Sequence, residues 1–247
     1  MYLGQMTTEK TSIQYYLKGI EIIKNQIQQT KVTENSEEGQ NLKRKAADAY
    51  VSMTEIYLSD LCFEPDAEAK CEEYLKLAAE VDPNCPVVYQ TLASVRMSQN
   101  NLEDAVLNLK KSVEMWQANP QLTPSYENRI SLARLMIEAQ LYDDCLTLLE
   151  TLQREDDQYV DLWYLYGWIY YLVGSESPDK LEYFASAAEC LEQALKVIKL
   201  GQYCDHDLAS HCTQLLEEIY SLYPKDQLRK EIDDALPPSE ESDMELN

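Results

Sequence analysis

The sequence predicts an all-α protein, a tetratricopeptide-repeat-like α-solenoid in which antiparallel helix pairs form a superhelix closed by a C-terminal capping helix. Three observations carry this expectation. Six glycines and nine prolines in 247 residues give few turn formers for an all-β or doubly wound fold, while 45% hydrophobic residues suffice for a substantial core. Large and small apolar residues recur in a register that fits the roughly 34-residue tetratricopeptide unit. Finally, the aromatic stretch DLWYLYGWIYYL at residues 161–172 is far shorter than the about 20 apolar residues of a membrane span, so protein must cover it.

The elements follow in order. Ile13, Leu17, Ile20, Ile23 and Ile27 form an apolar stripe at helical spacing, which predicts an N-terminal helix. A polar segment over residues 30–40 separates it from the repeats, so residues 1–41 read as helix plus linker, and residues 42–223 as the solenoid of about four helix pairs plus capping helix. The first pair opens with Tyr50, Met53, Thr54 and Tyr57; after an insertion around Leu61-Cys62-Phe63-Glu64-Pro65 it continues with Cys71, Leu75 and Ala78 and closes at Pro83. The second carries Tyr89, Leu92 and Ala93, a polar turn at Gln99-Asn100-Asn101, then Ala105, Leu109 and Ser112.

The third starts near Tyr126 with Leu132, Ala133 and Met136, followed by Cys145, Leu149 and Leu152, Cys145 standing as a small buried residue where Ala is usual. The fourth has Trp163, Tyr166, Gly167 and Tyr170, the spacing W-x2-L-G-x2-Y with Tyr in the Leu slot, then Ala187, Leu191 and Ala194. Gly167 reads as a packing glycine, small so that the paired helix approaches closely. Residues 208–223 read as the capping helix, begun by Asp205 or Asp207. After Pro224 periodicity is lost, and residues 224–247, ending LPPSEESDMELN, are expected to be an acidic disordered tail.

Charge narrows the partners. With 21 Lys+Arg against 44 Asp+Glu, the net charge of −23 repels nucleic acid and anionic membranes and attracts basic proteins, although solubility alone would also account for it. The seven cysteines and an N-terminus without a basic region followed by an apolar run point to reduced thiols in cytosol or nucleus. Lys43-Arg44-Lys45 is the only tight basic triplet, and no nuclear address can be read from it.

Signatures of catalysis are missing: the sequence has no Gly-rich phosphate loop, G-x-S-x-G or H-E-x-x-H, so no enzyme, metal or cofactor is expected. Cys204, His206, His211 and Cys212 lie close together, but they do not reproduce a paired zinc-ligand spacing, and adjacent helical residues such as His211 and Cys212 point about 100° apart. Glu155-Asp156-Asp157 is read more simply as acids before a helix N-terminus than as a divalent-ion site.

Binding is left, and the register gives its place. The slots that line the inner face of such units carry Asp48, Val51 and Glu55, then Gln90 and Ser94, then Glu127, Ile130, Arg134 and Glu138, then Asp161, Tyr164, Trp168 and Tyr171. This acidic, aromatic set suits an extended basic segment, since carboxylates attract Lys and Arg while aromatic faces accept a guanidinium. For Tyr164, Trp168 and Tyr171 the alternative is packing on the capping helix. Val51, Glu55, Thr91, Glu127 and Ser131 stand where a carboxylate clamp for acidic chaperone tails would need Lys, Asn and Arg, so that partner is not expected.

Three segments add a family resemblance: Asp60-Leu61-Cys62-Phe63-Glu64-Pro65-Asp66-Ala67-Glu68 with Cys71, Leu92-Ala93-Ser94-Val95-Arg96 with Ser98-Gln99, and Glu155-Asp156-Asp157 followed by Val160-Asp161-Leu162-Trp163-Tyr164-Leu165. Over residues 42–223 the chain resembles the dedicated assembly chaperones of the large-subunit ribosomal protein L-four. The resemblance implies a non-enzymatic protein, monomeric in a one-to-one complex, that shields the long basic internal loop of newly made L-four in cytoplasm and nucleus and supports its delivery to large-subunit pre-ribosomes, with no direct contact to nucleic acid or membrane. A generic tetratricopeptide scaffold or adaptor for another basic peptide is the competing expectation.

Overall fold

The computed structural model of the protein describes residues 9–29, 36–201 and 205–235, and their regular structure is entirely helical. In chain order the α-helices are α1 (Glu9–Gln29), α2 (Glu37–Leu58), α3 (Ala67–Val81), α4 (Pro86–Ser98), α5 (Leu102–Ala118), α6 (Tyr126–Glu138), α7 (Tyr142–Glu155), α8 (Val160–Glu176), α9 (Lys180–Gly201), α10 (His206–Leu222) and α11 (Lys225–Ala235). None is long and apolar enough to cross a membrane. The chain divides after Ala139 into two compact units.

In the first unit, α2 starts earlier than the sequence suggested. Ser36 caps it, its Oγ accepting from the Gly39 N–H at 3.1 Å, and Glu37 and Glu38 occupy the first turn, where acids favour the helix dipole. The polarity that resembled a linker up to residue 41 therefore belongs partly to a helix start; residues 30–35 lie outside the described residues. Helix α1 packs on α2, with Ile13, Tyr16 and Ile20 in one core with Ala47, Tyr50 and Met53. Tyr16 takes the inward position expected of Leu17, which is 45% exposed. Farther along, Ile23 packs with Leu42 and Ala46, and Ile27 lies partly buried against them.

Helices α2 and α3 pair, as do α4 and α5. Between α2 and α3 the Cys71 thiol donates to the Thr54 carbonyl at 3.9 Å, and between α4 and α5 the Ser112 hydroxyl donates to the Pro86 carbonyl at 2.9 Å. The turn joining α4 to α5 requires a left-handed residue, Asn100 at φ 58°, a conformation Asn tolerates better than most side chains. Asn101 then caps α5 by accepting from the Asp104 N–H at 3.3 Å, and Ser125 caps α6 in the same manner through Asn128.

In the second unit, α8 and α9 are the closest pair, and Gly167 permits it. A Cβ placed there would lie 2.6 Å from Leu191 Cγ and 3.3 Å from the Ala187 carbonyl oxygen, inside contact distance. Opposite it, Ala187, Leu191 and Ala194 are fully buried. Helix α10 is capped by Asp205, which accepts from the Leu208 N–H at 3.0 Å, deciding between the two candidate acids.

Beyond it the expected disordered tail is corrected over part of its length, because residues 225–235 form α11. Pro224 provides the first carbonyl, accepting from Gln227 N and Leu228 N, and the helix places Leu228 and Ile232, one turn apart, on the core containing α9. Two apolar residues are too few to show a period in the sequence, yet enough to hold one face of a short helix. Residues 236–247, the rest of the expected tail, lie outside the described residues.

The positions that the register assigned to pair contacts are buried in all four instances: Thr54, Ala93, Ala133 and Gly167 in the first helices, then Cys71, Ala105, Cys145 and Ala187 in the second. The architecture is thus an all-α helix-pair repeat. The close α8–α9 approach predicts that Gly167→Ala, although favoured by helix propensity, lowers stability by about 1–2 kcal/mol through overpacking. Urea unfolding followed by circular dichroism reads the change.

Candidate peptide-binding site

In the first unit, the candidate carboxylates of α2 are exposed: Asp48 and Glu55 lie two turns apart on one side of the helix, while Val51 between them turns into the core. Both carboxyls are nevertheless shifted upward, and desolvation is the leading cause for each; the Asp82 charge adds to it at Asp48, the Asp48 charge at Glu55. Beside them Arg44 is already engaged, donating to Asp82 at 2.5 Å and to the Asn84 carbonyl at 3.1 Å, so its charge compensates Asp48 only in part. The Cys85 thiol, pushed up to about 11 by burial, donates to Asp48 at 3.9 Å and stays protonated at neutral pH.

The other candidates of this unit separate into two groups. Glu127, Arg134 and Glu138 on α6 are exposed, and Ser94 on α4 is half-buried. At Glu127 hydrogen bonds from its own backbone N–H and then from Ser125 hold the carboxyl below its ordinary value, so it keeps its charge in mild acid. Gln90 and Ile130, in contrast, are 6% and 4% exposed and are withdrawn from the candidate surface. For Gln90 the reason is a structural hydrogen bond, its amide donating to the Asn128 carbonyl at 3.0 Å and tying α4 to α6. For Ile130 it is the ordinary burial of an aliphatic side chain.

In the second unit, the aromatic segment is divided into two stripes. Trp163, Tyr166 and Tyr170 form one: the Tyr166 and Tyr170 rings stack at 6.3 Å, and Trp163 Nε1 donates to the Asp157 carbonyl at 2.6 Å, anchoring the acidic turn to α8. Tyr164, Trp168 and Tyr171 form the other, all half-buried, as is Asp161. Helix α10 contacts this second stripe directly. The Tyr164 hydroxyl and His211 Nδ1 are hydrogen-bonded at 2.9 Å, Tyr171 donates to Glu218 at 2.6 Å, and the Trp168 ring lies between, 5.2 Å from His211 and stacked on Tyr171 at 5.7 Å.

Both hydrogen-bonded pairs are separated by 47 residues, which requires α8 and α10 to run parallel and in register. The hydrogen bond to Glu218 pushes the Tyr171 phenol up and the Glu218 carboxyl down, as expected when the phenol keeps its proton and the acid its charge. Packing on the capping helix therefore accounts for a large part of the second stripe, leaving its half-exposed edges available to a ligand. His211 and Glu218 were not among the expected site residues; their spacing of seven, matching that of Tyr164 and Tyr171, is the signal that identifies them. Cys204 of the Cys/His cluster lies outside the described residues.

No family model matches the chain. Two curated proteins are similar, each named "Probable assembly chaperone of rpl4". The one from Schizosaccharomyces pombe is 34% identical over 236 residues, covering 90% of this chain and 68% of that protein. The one from Emericella nidulans is 37% identical over 173 residues, covering 63% of this chain and 45% of that protein. The chain thus spans about two thirds of the length of the first relative and under half of the second. A solved structure described as "Assembly Chaperone of RpL4 (Acl4)" superimposes with a TM-score of 0.64 at 30% identity, covering 71% of this chain and 67% of that one. BtubC from P. vanneervenii also reaches a TM-score of 0.64, over 92% of this chain and 89% of its own, but at 15% identity it is similar in fold alone.

The α8–α10 contacts predict that His211→Ala, which removes the partner of Tyr164 and the ring beside Trp168, costs about 1–2 kcal/mol and shifts tryptophan emission to the red. Tyr171→Phe, which loses only a hydrogen bond to an exposed acid, is expected to cost under about 1 kcal/mol. Equilibrium unfolding monitored by fluorescence measures both.

Proposed function

The chain belongs to the family of Rpl4 assembly chaperones, and on that premise we propose that it captures newly made Rpl4 by its long basic loop and supports its delivery to large-subunit pre-ribosomes. Its helix pairs are of the tetratricopeptide type, and each unit contributes ligand-binding residues of its own: the acids Asp48, Glu55, Glu127 and Glu138 in the first unit, and Asp161 with the aromatic edges of Tyr164, Trp168 and Tyr171 in the second. Ser94 and Arg134 flank the acids and contribute hydrogen bonding. The complex is one-to-one, forms in the cytoplasm and reaches the nucleus. The protein acts by binding, with no chemistry on its partner.

The observation that carries this reading is the placement of Asp48 and Glu55, exposed carboxyls two turns apart on one side of α2, whose pKa values desolvation raises. A lysine or arginine brought to them favours the charged form and forms charge-assisted hydrogen bonds in the same step. At longer range the net charge of −23 steers a basic segment towards the protein, while aromatic faces select guanidinium groups at contact. A free basic loop also binds RNA non-specifically, so an acidic partner competes with that association.

Two outcomes are expected. A pull-down from lysate, repeated at low and physiological salt, recovers chiefly Rpl4, with capture slower at the higher salt because screening shortens the reach of the field to about 8 Å. A mixed population of basic proteins would favour a generic scaffold instead. Glu138→Lys combined with Asp161→Lys lowers affinity for the isolated basic loop by about tenfold or more at low salt, measured by fluorescence anisotropy. Unchanged affinity would remove those two residues from the surface.

A further inference from the structure

The turn over residues 59–66, between α2 and α3, has no part in the surface described so far. It is well fixed. The Leu61 side chain is buried beneath it, backbone hydrogen bonds run from Leu61 N to Ile56 O, Glu64 N to Leu61 O and Ala67 N to Glu64 O, and Lys10 of α1 holds Glu64 at 2.7 Å. At its tip stands Phe63, 97% exposed.

Isolated surface hydrophobics are common and need no explanation in themselves. Phe63 differs in context. The sequence contains only two phenylalanines, and the other, Phe184, is 3% exposed in the core of the second unit. The turn makes no use of the Phe63 ring for its own packing, and a fixed backbone presents it with little conformational entropy left to lose on docking. Beside the turn opens a cleft of about 450 Å³, in which Tyr57, Leu58 and Val95 share the lining with Glu68, Ser98 and Gln99. A protruding aromatic on a rigid support, beside a cleft of mixed apolar and polar lining, has the form of a contact anchor.

The charge around it indicates the kind of partner. Lys10, Lys70 and Arg96 are paired with Glu64, Glu73 and Glu72, and Asp60 and Asp66 form no direct ion pair among the described residues, although Lys10 lies within electrostatic reach of Asp66. A second copy of this chain would bring the same acids face to face and is disfavoured. A basic surface is favoured. A knob also needs a hollow to enter, and hollows are made by folded surfaces, whereas an extended loop presents side chains outward.

Building on the function proposed above, we propose that this turn is a second contact site for the same client: Phe63 enters an apolar recess on the folded body of Rpl4, and Asp60 and Asp66 meet Lys or Arg side chains at its rim. The loop and the body are then held at separate places. Distinguishing body from loop on the client is what the site adds, because the loop alone has no means of using Phe63.

The test is a pair of calorimetric titrations of the full chain, with full-length Rpl4 and with its isolated basic loop, for the wild type, Phe63→Ala and Asp60→Lys/Asp66→Lys. Phe63→Ala is expected to weaken full-length Rpl4 by about tenfold and to leave the loop unchanged; the charge-reversed variant should show the same selectivity. Equal affinity of Phe63→Ala and wild type for full-length Rpl4 would overturn the proposal while leaving the chaperone function intact, since the wild type still binds. A self-associated wild type that Phe63→Ala converts to monomer would overturn it in favour of a second copy as occupant. Failure of the wild type to bind either form would overturn the chaperone function itself, and this site with it.

Discussion

The structure depends on how closely two helices of a pair can approach. Gly167 against Leu191 is the extreme case, since even a methyl group would intrude at 2.6 Å. Thr54 beside Cys71, and Pro86 beside Ser112, show milder forms of the same constraint, with a thiol or hydroxyl fastening the second helix to a carbonyl of the first. Close packing at these points fixes the rotation of each helix about its own axis. Once Tyr166 and Tyr170 are committed to one side of α8, the helical period turns Tyr164, Trp168 and Tyr171 to another, where α10 runs alongside. The candidate ligand surface is thus a consequence of the pairing and has no separate scaffold.

Much of the fold was legible because pairing leaves a repeated mark. Small residues at Thr54, Ala93, Ala133 and Gly167, followed by Leu75, Leu109, Leu149 and Leu191 in the second helices, are a pattern only stacked helix pairs require. The failures have physical causes. Helix α11 sets only Leu228 and Ile232 on the core, and acids and lysines around them hide the period. The start of α2 lies in a polar segment because capping and dipole effects favour Ser and Glu there, so the chemistry of a helix start was read as that of a linker. On α1, adjacent Tyr16 and Leu17 fit the stripe about equally well, and packing on α2 chose Tyr16.

The candidate site was legible to a different degree. That Asp48, Glu55, Glu127 and Glu138 stand exposed was legible because charge on a helix face is read directly from spacing. What could not be read was which slots a neighbouring helix would fill. Gln90 became a tie between α4 and α6, and the aromatic stripe became partly an interface with His211 and Glu218. Such outcomes depend on the register between helices that are distant in sequence, which no local pattern contains. The turn bearing Phe63 illustrates the converse: the segment that carried the family resemblance contributes an exposed ring, and not only the shape of the helix pair.

Two kinds of interaction therefore meet in one small acidic protein: apolar packing that fixes helix rotation, and carboxyls that this packing leaves crowded but open to solvent. The second is central to the proposed function, in which Asp48 and Glu55, their pKa values raised by desolvation, accept the client's cationic side chains. In the free protein their raised pKa keeps some protons bound as pH falls towards the carboxylate range, about 4 in the absence of perturbation; a bound Lys or Arg lowers that pKa and expels them. The direct measurement is titration of the protein with the basic loop of Rpl4 in mildly acidic solution, in two buffers of different ionisation heat. Net proton release, diminished by Asp48→Asn with Glu55→Gln, is the expected result. Binding with no proton exchange, or with proton uptake, would show that these carboxyls do not receive the client's positive charge.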